Sequence, residues 1–586
     1  MAKDTLVQIE VLKNALESIA DGMALTVVRT SRSQNVRASM DFSTGILTGN
    51  GELIAQGQCI PVHLGGMPVA LEACVSRYGE SMKPGDVFIT NDPYEGGSHL
   101  PDIFLFKPVF VDDVVVAYFC AMTHHADVGG RVAAGNACDS TEIYQEGLRI
   151  PPLRLFTQGL LNDTLWRLID KAVRVPEIVL ADILSNIAAI DFGEQELRKV
   201  IKKYGVEETQ QVMEDLLDYT ETLARQAIRT LPDGSWTFTD YIDNDGFSED
   251  PIAIVINLTK SEDKLNFDFT GTSDQVKGSI QPVFATTKAM VYAVVRTVLG
   301  SVGYDVPNTQ GYFRPITVTA PEGSFVNPRI PAAVAARGLS CERIAQATFG
   351  VFSEMLPDKI PACAGGAEVG ASMSGYQRTE DGWKAWILMD FQMETARGGG
   401  PGSEGLDAHY SGIISIGNIP AEQIEIEYPV KLIQYGFAQD TEGAGEYRGG
   451  MGIVREWQYL SQETAVVVRS DRQNHPPYGL QGGSASAPTE VILRRVNQAD
   501  ENMPSKFSFT AYEGDRLCIK HSGAGGWGDP IVRSPVRVLE DVIDEKVSIE
   551  RAENVYGVIV DSGNTVVDEN MTIQKRNAMV TETNSA

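Results

Sequence analysis

Three of the chain's seven histidines lie close together in its N-terminal part, interleaved with acids. His99 and Asp102 sit in NDPYEGGSHLPDIF (91–104) beside Asp92 and Glu95, and His124 and His125 sit in THHADVGG (123–130) before Asp127. Imidazole and carboxylate together suit Zn²⁺, Mn²⁺ or Fe²⁺, and a metal site needs such groups on neighbouring segments. Pro101 disfavours helix at Leu100, so His99 and Asp102 are predicted on a turn. His124 and His125 end an apolar, strand-like run. Successive strand residues point to opposite faces, so one of the two is expected to face a given ion. The competing reading is that these histidines cap turns and strand ends. The residues alone leave both open.

Other chemistries find less support. SGAGGWGD spaces Gly523, Gly525 and Gly528 as G-x-G-x-x-G. A dinucleotide site would require a helix to begin there, and Asp529-Pro530 follows instead, so a glycine turn closing a β-hairpin is predicted. The chain contains no G-x-x-x-x-G-K-[ST] and no G-x-S-x-G, so neither a P-loop nor a nucleophile elbow is expected. The stretch MDFQMETARGGGPGSEGLDAHYSG reads either as a phosphate-cradling loop or as a structural crossing of close backbones.

The elements that must position the histidines follow from periodicity. Ile9, Leu12, Leu16, Ile19 and Met23 recur at helical spacing and predict a long helix from about Leu6 to Arg29. GILTG, ELIAQG, DVFITN, DIFLFKPVFV and DVVVAYFCAMT read as strands separated by turn residues. EIVLADILSNIAAI and EETQQVMEDLLDYTETLARQAIRTL read as amphipathic helices, the second with an acidic outer face. After a turn at LPDGSW come strands SWTFTDYI, IAIVINLTK and KLNFDFTG and the helical ATTKAMVYAVVRTVLG. Beyond about Ala364 the chain turns glycine-rich, with short alternating stretches. The expectation is an α+β, multi-domain chain. It comprises a mixed N-terminal α/β metal-binding region with a helical segment (1–230), a β-rich middle α+β region (231–365), a glycine- and β-rich C-terminal region (366–575) and a frayed tail (576–586).

Bulk properties narrow the partners. A formal charge of -29 over 586 residues repels phosphate backbones and anionic lipid, so neither nucleic acid nor membrane is expected. Seven scattered cysteines without C-x-x-C, an N-terminus without a long apolar core and the lack of an 18-residue apolar run predict a cytoplasmic protein. Cys120, in VVVAYFCAM, reads as a small buried hydrophobe.

Taken together, NDPYEGGSHLPD, THHADVGG, RIPPLRL, FRPITVTAPEGSFVNPRIPAAVAAR, GAGEYRGGMGIVREW and GAGGWGDP resemble the hydantoinase B/oxoprolinase family, over nearly the whole chain. The resemblance implies a β-type subunit working with a hydantoinase A-type partner that binds ATP and Mg²⁺ in an actin-like fold, in an (αβ)₂ assembly. It implies ATP-dependent opening of a cyclic amide, namely 5-oxoproline, a hydantoin or a lactam such as caprolactam. Related proteins instead carboxylate acetone or acetophenone, and a non-catalytic subunit whose metal staples the fold is a third possibility. The resemblance also implies one divalent metal in this chain, held by Asp41 (of SMDFSTGI), His99, Asp102 and His124. Zn²⁺ fits a hydrolase best, with Mn²⁺ and Fe²⁺ as alternatives. Four protein ligands leave a catalytic role only if coordination expands. His125 and Asp127, next to the ligands, are candidates for orienting them or moving a proton.

Overall fold

The computed structural model describes residues 3–57, 60, 63, 65–366, 369–380, 382–392, 396–409, 414, 416–561, 563 and 566–583. The N-terminal region is built on a seven-stranded antiparallel sheet: β1 (Phe42–Thr48), β2 (Leu53–Gln56), β3 (Val87–Thr90), β4 (Asp102–Val111), β5 (Val114–His124), β6 (Leu153–Thr157) and β7 (Leu160–Leu161), in the order β2-β1-β5-β4-β3-β6-β7. Its helices are α1 (Lys3–Thr30), α2 (Gln34–Arg37), α3 (Gly66–Tyr78), α4 (Asp163–Ala172), α5 (Pro176–Tyr204) and α6 (Val206–Arg229).

Both faces of this sheet are covered, which explains why DIFLFKPVFV reads as a continuous apolar run rather than an alternating one. Ile103, Leu105, Phe119 and Ala121 pack with residues of α1 and α5. Phe104, Phe106, Tyr118, Cys120 and Met122 pack on the other side with Met67, Leu71 and Cys74 of α3. Parity along a strand therefore decides which layer a side chain meets. All six described cysteines are buried and free, Cys120 among them.

The middle region has a four-stranded sheet in the order β11-β10-β9-β8, made from β8 (Gly234–Ile242), β9 (Ile252–Ser261), β10 (Lys264–Asp268) and β11 (Ile316–Thr319). It packs with α7 (Phe284–Ser301) and α8 (Gly338–Met355). Nearly every residue of α8 is buried, its polar members paired: Arg343 with Asp471, and Gln346 with Glu342 at 2.8 Å.

The C-terminal region has two further sheets. One runs β13-β12-β16-β19, from β12 (Val369–Thr379), β13 (Gly382–Gln392), β16 (Glu463–Arg469) and β19 (Lys506–Tyr512). The other runs β14-β15-β20-β17-β18, from β14 (Val430–Phe437), β15 (Ile453–Tyr459), β20 (Arg516–Lys520), β17 (Glu490–Arg494) and β18 (Glu501–Asn502). Short helices α9 (Ala421–Glu427), α10 (Pro535–Ile543) and α11 (Ile549–Asn554) precede α12 (Glu569–Thr583). One apolar cluster joins the middle sheet, α7 and α8 to residues of β12, β13, β15 and β16. Among the described residues, no helix is long and apolar enough to cross a membrane.

Two expectations need correction here. The tail is not frayed through 576–586, since α12 continues to Thr583. Arg576 anchors it by donating to the Tyr556 and Arg533 carbonyls at 3.0 and 2.7 Å. The Gly523–Gly528 run does not close a hairpin. It threads between two other glycine-rich segments: Gly443 N–H donates to Ala524 O at 2.7 Å, and Gly526 N–H to Ser484 O at 3.0 Å. A Cβ on Gly525 would lie 1.9 Å from Tyr478 O, so the glycines permit backbone-to-backbone contact. The described part of MDFQMETARGGGPGSEGLDAHYSG joins the same layer as a structural crossing. Its Gly399 and Gly405 amides donate to the Gly525 and Arg448 carbonyls at 2.9 and 2.8 Å, and residues 393–395 and 410–413 lie outside the described residues.

Candidate metal centre

β1, β5 and β4 are neighbours in the N-terminal sheet, and their antiparallel directions put the start of β1, the end of β5 and the start of β4 at one rim. Asp102 pairs with His124 in register, and Phe42 with Thr123. Asp41, just before β1, receives the His124 N–H on its carbonyl at 3.0 Å. Parity completes the arrangement: Asp102 and His124 share the α3 side with Phe104, Phe106, Cys120 and Met122, and Asp41 alternates with Phe42, which packs on the α1 side. His99 reaches the group from the turn that precedes β4, with Asp102 N–H donating to His99 O at 3.1 Å. The turn expected from Pro101 thus carries His99, whereas Asp102 is the first residue of a strand.

One ligand atom each from His99, Asp102 and His124 lies within 4.8 Å of the others, and all three side chains are buried. His99 Nε2 is 3.1 Å and His124 Nδ1 3.6 Å from Asp102 Oδ1. Asp41 Oδ2 is 3.3 Å from His124 Nδ1. His99 Nδ1 lies 2.8 Å from Ala335 O, and a carbonyl can only accept, so Nδ1 carries the proton and Nε2 a lone pair. Burial and then the Arg337 charge push the His99 pKa below its ordinary value. A neutral Nε2 lone pair therefore faces a carboxylate oxygen, and a cation between them resolves that opposition. The donor set of imidazole nitrogen and carboxylate oxygen, with the other nitrogen of His99 fixed by a backbone carbonyl, fits a divalent metal.

Three further groups enter the site that the sequence reading did not single out. Arg337, at the N-cap of α8, places Nη2 2.5 Å from Asp102 Oδ2, and Ser98 Oγ donates to the same oxygen. Burial works against the Asp102 charge, but the Arg337 guanidinium beside it, and any proton gained by the neighbouring imidazoles, hold the carboxyl well below the ordinary carboxylate range. His63 Nε2 lies 3.6 Å from Asp102 Oδ2, with Nδ1 2.9 Å from Ser43 Oγ. Burial keeps His63 neutral, its pKa lowered to about 3. No local pattern could have revealed Arg337, which comes from 235 positions away. His63 offered one signal, as another histidine of the same N-terminal region.

His125 and Asp127 are placed differently. His125 has the parity of the α1/α5 side: Nε2 meets Thr123 Oγ1 at 3.1 Å, and Asn186 of α5 donates to that hydroxyl at 3.0 Å. Burial lowers its pKa to about 3. Asp127 is committed to a loop, accepting from the Ala134 and Arg174 amides at 3.1 and 2.6 Å and from the Arg174 guanidinium. Asp41, His63, His124, Arg337, Gly338 and Cys341 open onto a narrow pocket walled by Ile60, Ile414 and Ile416. Gly338 and Cys341 bring the first turn of α8, the positive end of a buried helix, to its wall.

Known proteins share this architecture. An uncharacterized protein of Methanocaldococcus jannaschii is 33% identical over 94% of this chain and 96% of its own length. The caprolactamase subunit beta of Pseudomonas jessenii is 29% identical over 98% of this chain and 99% of its own. The crystal structure of the ATP-dependent caprolactamase from that organism superposes with a TM-score of 0.90 at 28% identity, covering 97% of this chain and 99% of the matched one. A nucleotide-free acetone carboxylase shares the fold, with a TM-score of 0.89 at 16% identity over 98% of this chain and 83% of that one. The sequence profile of hydantoinase B/oxoprolinase matches residues 5–530, which takes in all three strands of the rim and α8, and the chain belongs to that family.

Proposed function

We propose that this chain is the metal-containing subunit of an ATP-dependent amidohydrolase that opens a cyclic amide (a lactam, a hydantoin or 5-oxoproline) once an ATP-binding partner subunit has activated it. The observation that carries the reading is the convergence of His99, Asp102 and His124 within 4.8 Å, in a chain 28% identical to a caprolactamase over 97% of its length. Asp41, His99, Asp102 and His124 would hold one divalent ion, Zn²⁺ by donor chemistry, with Mn²⁺ or Fe²⁺ also suited. Bound there, the ion would act as a Lewis acid and lower the pKa of water.

An unstrained lactam resists water because resonance keeps its carbonyl a poor electrophile, which is the reason to couple opening to ATP. The overall change consumes one water to break the C–N bond and one to convert ATP to ADP and phosphate. The pocket walled by Ile60, Ile414 and Ile416 has a volume of about 10 Å³, room for one water, so a ring would enter only with these walls moved apart. Arg337, which lines the pocket, would supply positive charge to stabilise negative charge developing on the carbonyl oxygen.

The test pairs the purified chain with its ATP-binding partner and follows ADP and ring-opened product from caprolactam, hydantoin and 5-oxoproline. A parallel arm offers acetone or acetophenone with bicarbonate. The expected result is about one equivalent of metal by elemental mass spectrometry, lost together with activity in His99→Ala and Asp102→Ala. Carboxylated ketone as the product would replace the hydrolase reading with a carboxylase. Full activity in metal-free protein would sink the metal role, and activity retained in folded variants of lowered stability would make the metal a staple.

A further inference from the structure

Residues 331–337, PAAVAAR, run past the metal cluster with their backbone held at successive positions. Ile143 N–H donates to Pro331 O at 2.9 Å, the Tyr94 hydroxyl to Ala332 O at 2.6 Å, and Ala336 N–H to Ser279 O at 2.9 Å. At the centre of the strap Gln281 Nε2 donates to Ala333 O at 3.2 Å, and Glu146 holds the next two residues. The Val334 and Ala335 amides both donate to Glu146 Oε1, at 2.8 and 2.9 Å. Two contacts then reach the site: Ala335 O accepts from His99 Nδ1 at 2.8 Å, and Arg337 Nη2 meets Asp102 Oδ2 at 2.5 Å.

Glu146 is 1% exposed, and its second oxygen is buried without a hydrogen-bond partner among the described residues. Burial pushes its pKa up to about 8, so at neutral pH it is mainly a neutral acid whose Oε1 still accepts from both amides. A buried acid with one oxygen unused is a costly choice if the strap needs only bulk. Its geometry has a narrower use, to fix one peptide whose neighbour orients a histidine.

We propose that Glu146 is a positioning residue: by holding the Val334 and Ala335 amides on one oxygen, it aims Ala335 O at His99 Nδ1, presents His99 Nε2 to the metal, and brings Arg337 onto Asp102. The inference rests on the metal-centre reading above. It differs from a purely structural role, because groups that orient a metal-binding histidine change metal affinity as well as stability.

The experiment measures Zn²⁺ affinity of the full chain by chelator competition, with thermal denaturation of the metal-free form alongside. It compares wild type with Glu146→Gln, Glu146→Ala and Glu146→Leu. Glutamine keeps an acceptor oxygen and retains affinity within about twofold, whereas alanine and leucine weaken it about 10- to 100-fold. Equal affinity in all four, with only the melting temperature changed, overturns the proposal, as does a glutamine variant as weak as alanine. If alanine and leucine do not fold, the glutamine variant decides by the same criterion. If wild type binds no Zn²⁺, the metal reading has failed, and ¹⁵N resonances of histidine-labelled protein still test the strap. His99 is then held as the Nδ1–H tautomer in wild type and glutamine and becomes a tautomer mixture without the acceptor. A His99 tautomer unchanged in every variant sinks the strap itself.

Discussion

Asp102 is the point on which the site turns. Arg337, Ser98 and His63 address its Oδ2, while His99 and His124 address its Oδ1. The carboxylate is thereby divided between a permanent cation on one side and two imidazoles on the other. A guanidinium has no lone pair to offer a metal ion and stays charged at any working pH, so removing Arg337 would separate electrostatics from the proposed metal binding. Arg337→Ala should retain metal while kcat/KM falls about 10²-fold, the usual scale for losing one oriented donor to developing charge. Arg337→Lys should recover only part of that loss, because an ammonium cannot reproduce the planar guanidinium fork. Metal content and steady-state kinetics of the assembled enzyme check both. Loss of metal in Arg337→Ala would instead make Arg337 part of the ligand scaffold.

At the scale of elements, the centre depends on three strands whose ends align and on two helix layers that hold them from either side. α1 and α5 reach β5 closely enough that a Cβ on Gly193 would lie 2.6 Å from the Phe119 ring and 2.7 Å from Met23 Sδ. Gly193→Val would force α5 off the sheet at the strand that carries His124. Overpacking of this kind costs roughly 1–3 kcal/mol, and thermal denaturation should show the variant melting below wild type. The strands themselves are legible from DVVVAYFCAMT and DIFLFKPVFV, because β-branched and aromatic runs bounded by turns have few other solutions. Their order is not. That β1 lies between β2 and β5, with Asp41 beside His124, depends on pairings between distant segments.

Over the whole molecule, buried titratable groups set the pH range of stability. His521 is buried and beside Arg455, and its pKa is lowered to about 3. A depressed value means that stability present above the ordinary 6.5 is lost as pH falls toward 3. Glu146 has the opposite sign: raised to about 8 from 4.5, it supports folding at low pH and loses that support as pH rises through 8. Each contributes at most about 1.4 kcal/mol per pH unit inside its window. Glu146→Gln removes the alkaline loss, so its urea midpoint should gain on wild type between pH 5 and pH 8. A difference independent of pH would show that Glu146 is not held neutral.

By itself the sequence determined the element types and the family, and it named the histidines and acids offered as metal donors. Helical and strand periods are local, and His99, Asp102, His124 and His125 lie within 27 residues of one another, where short turns must bring segments back together. Even the division between His124 and His125 was implied, since neighbours on a strand face opposite ways. Tertiary structure alone decided the rest. It chose His124 for the cluster and His125 for Thr123 by setting which helix layer covers which face. It also brought Arg337 and the 331–337 strap to a site they do not adjoin in the chain, and it turned a dinucleotide-like glycine spacing into a layer of touching backbones. Such contacts join segments tens to hundreds of residues apart, where no periodicity connects them and only the packed core selects the pairing.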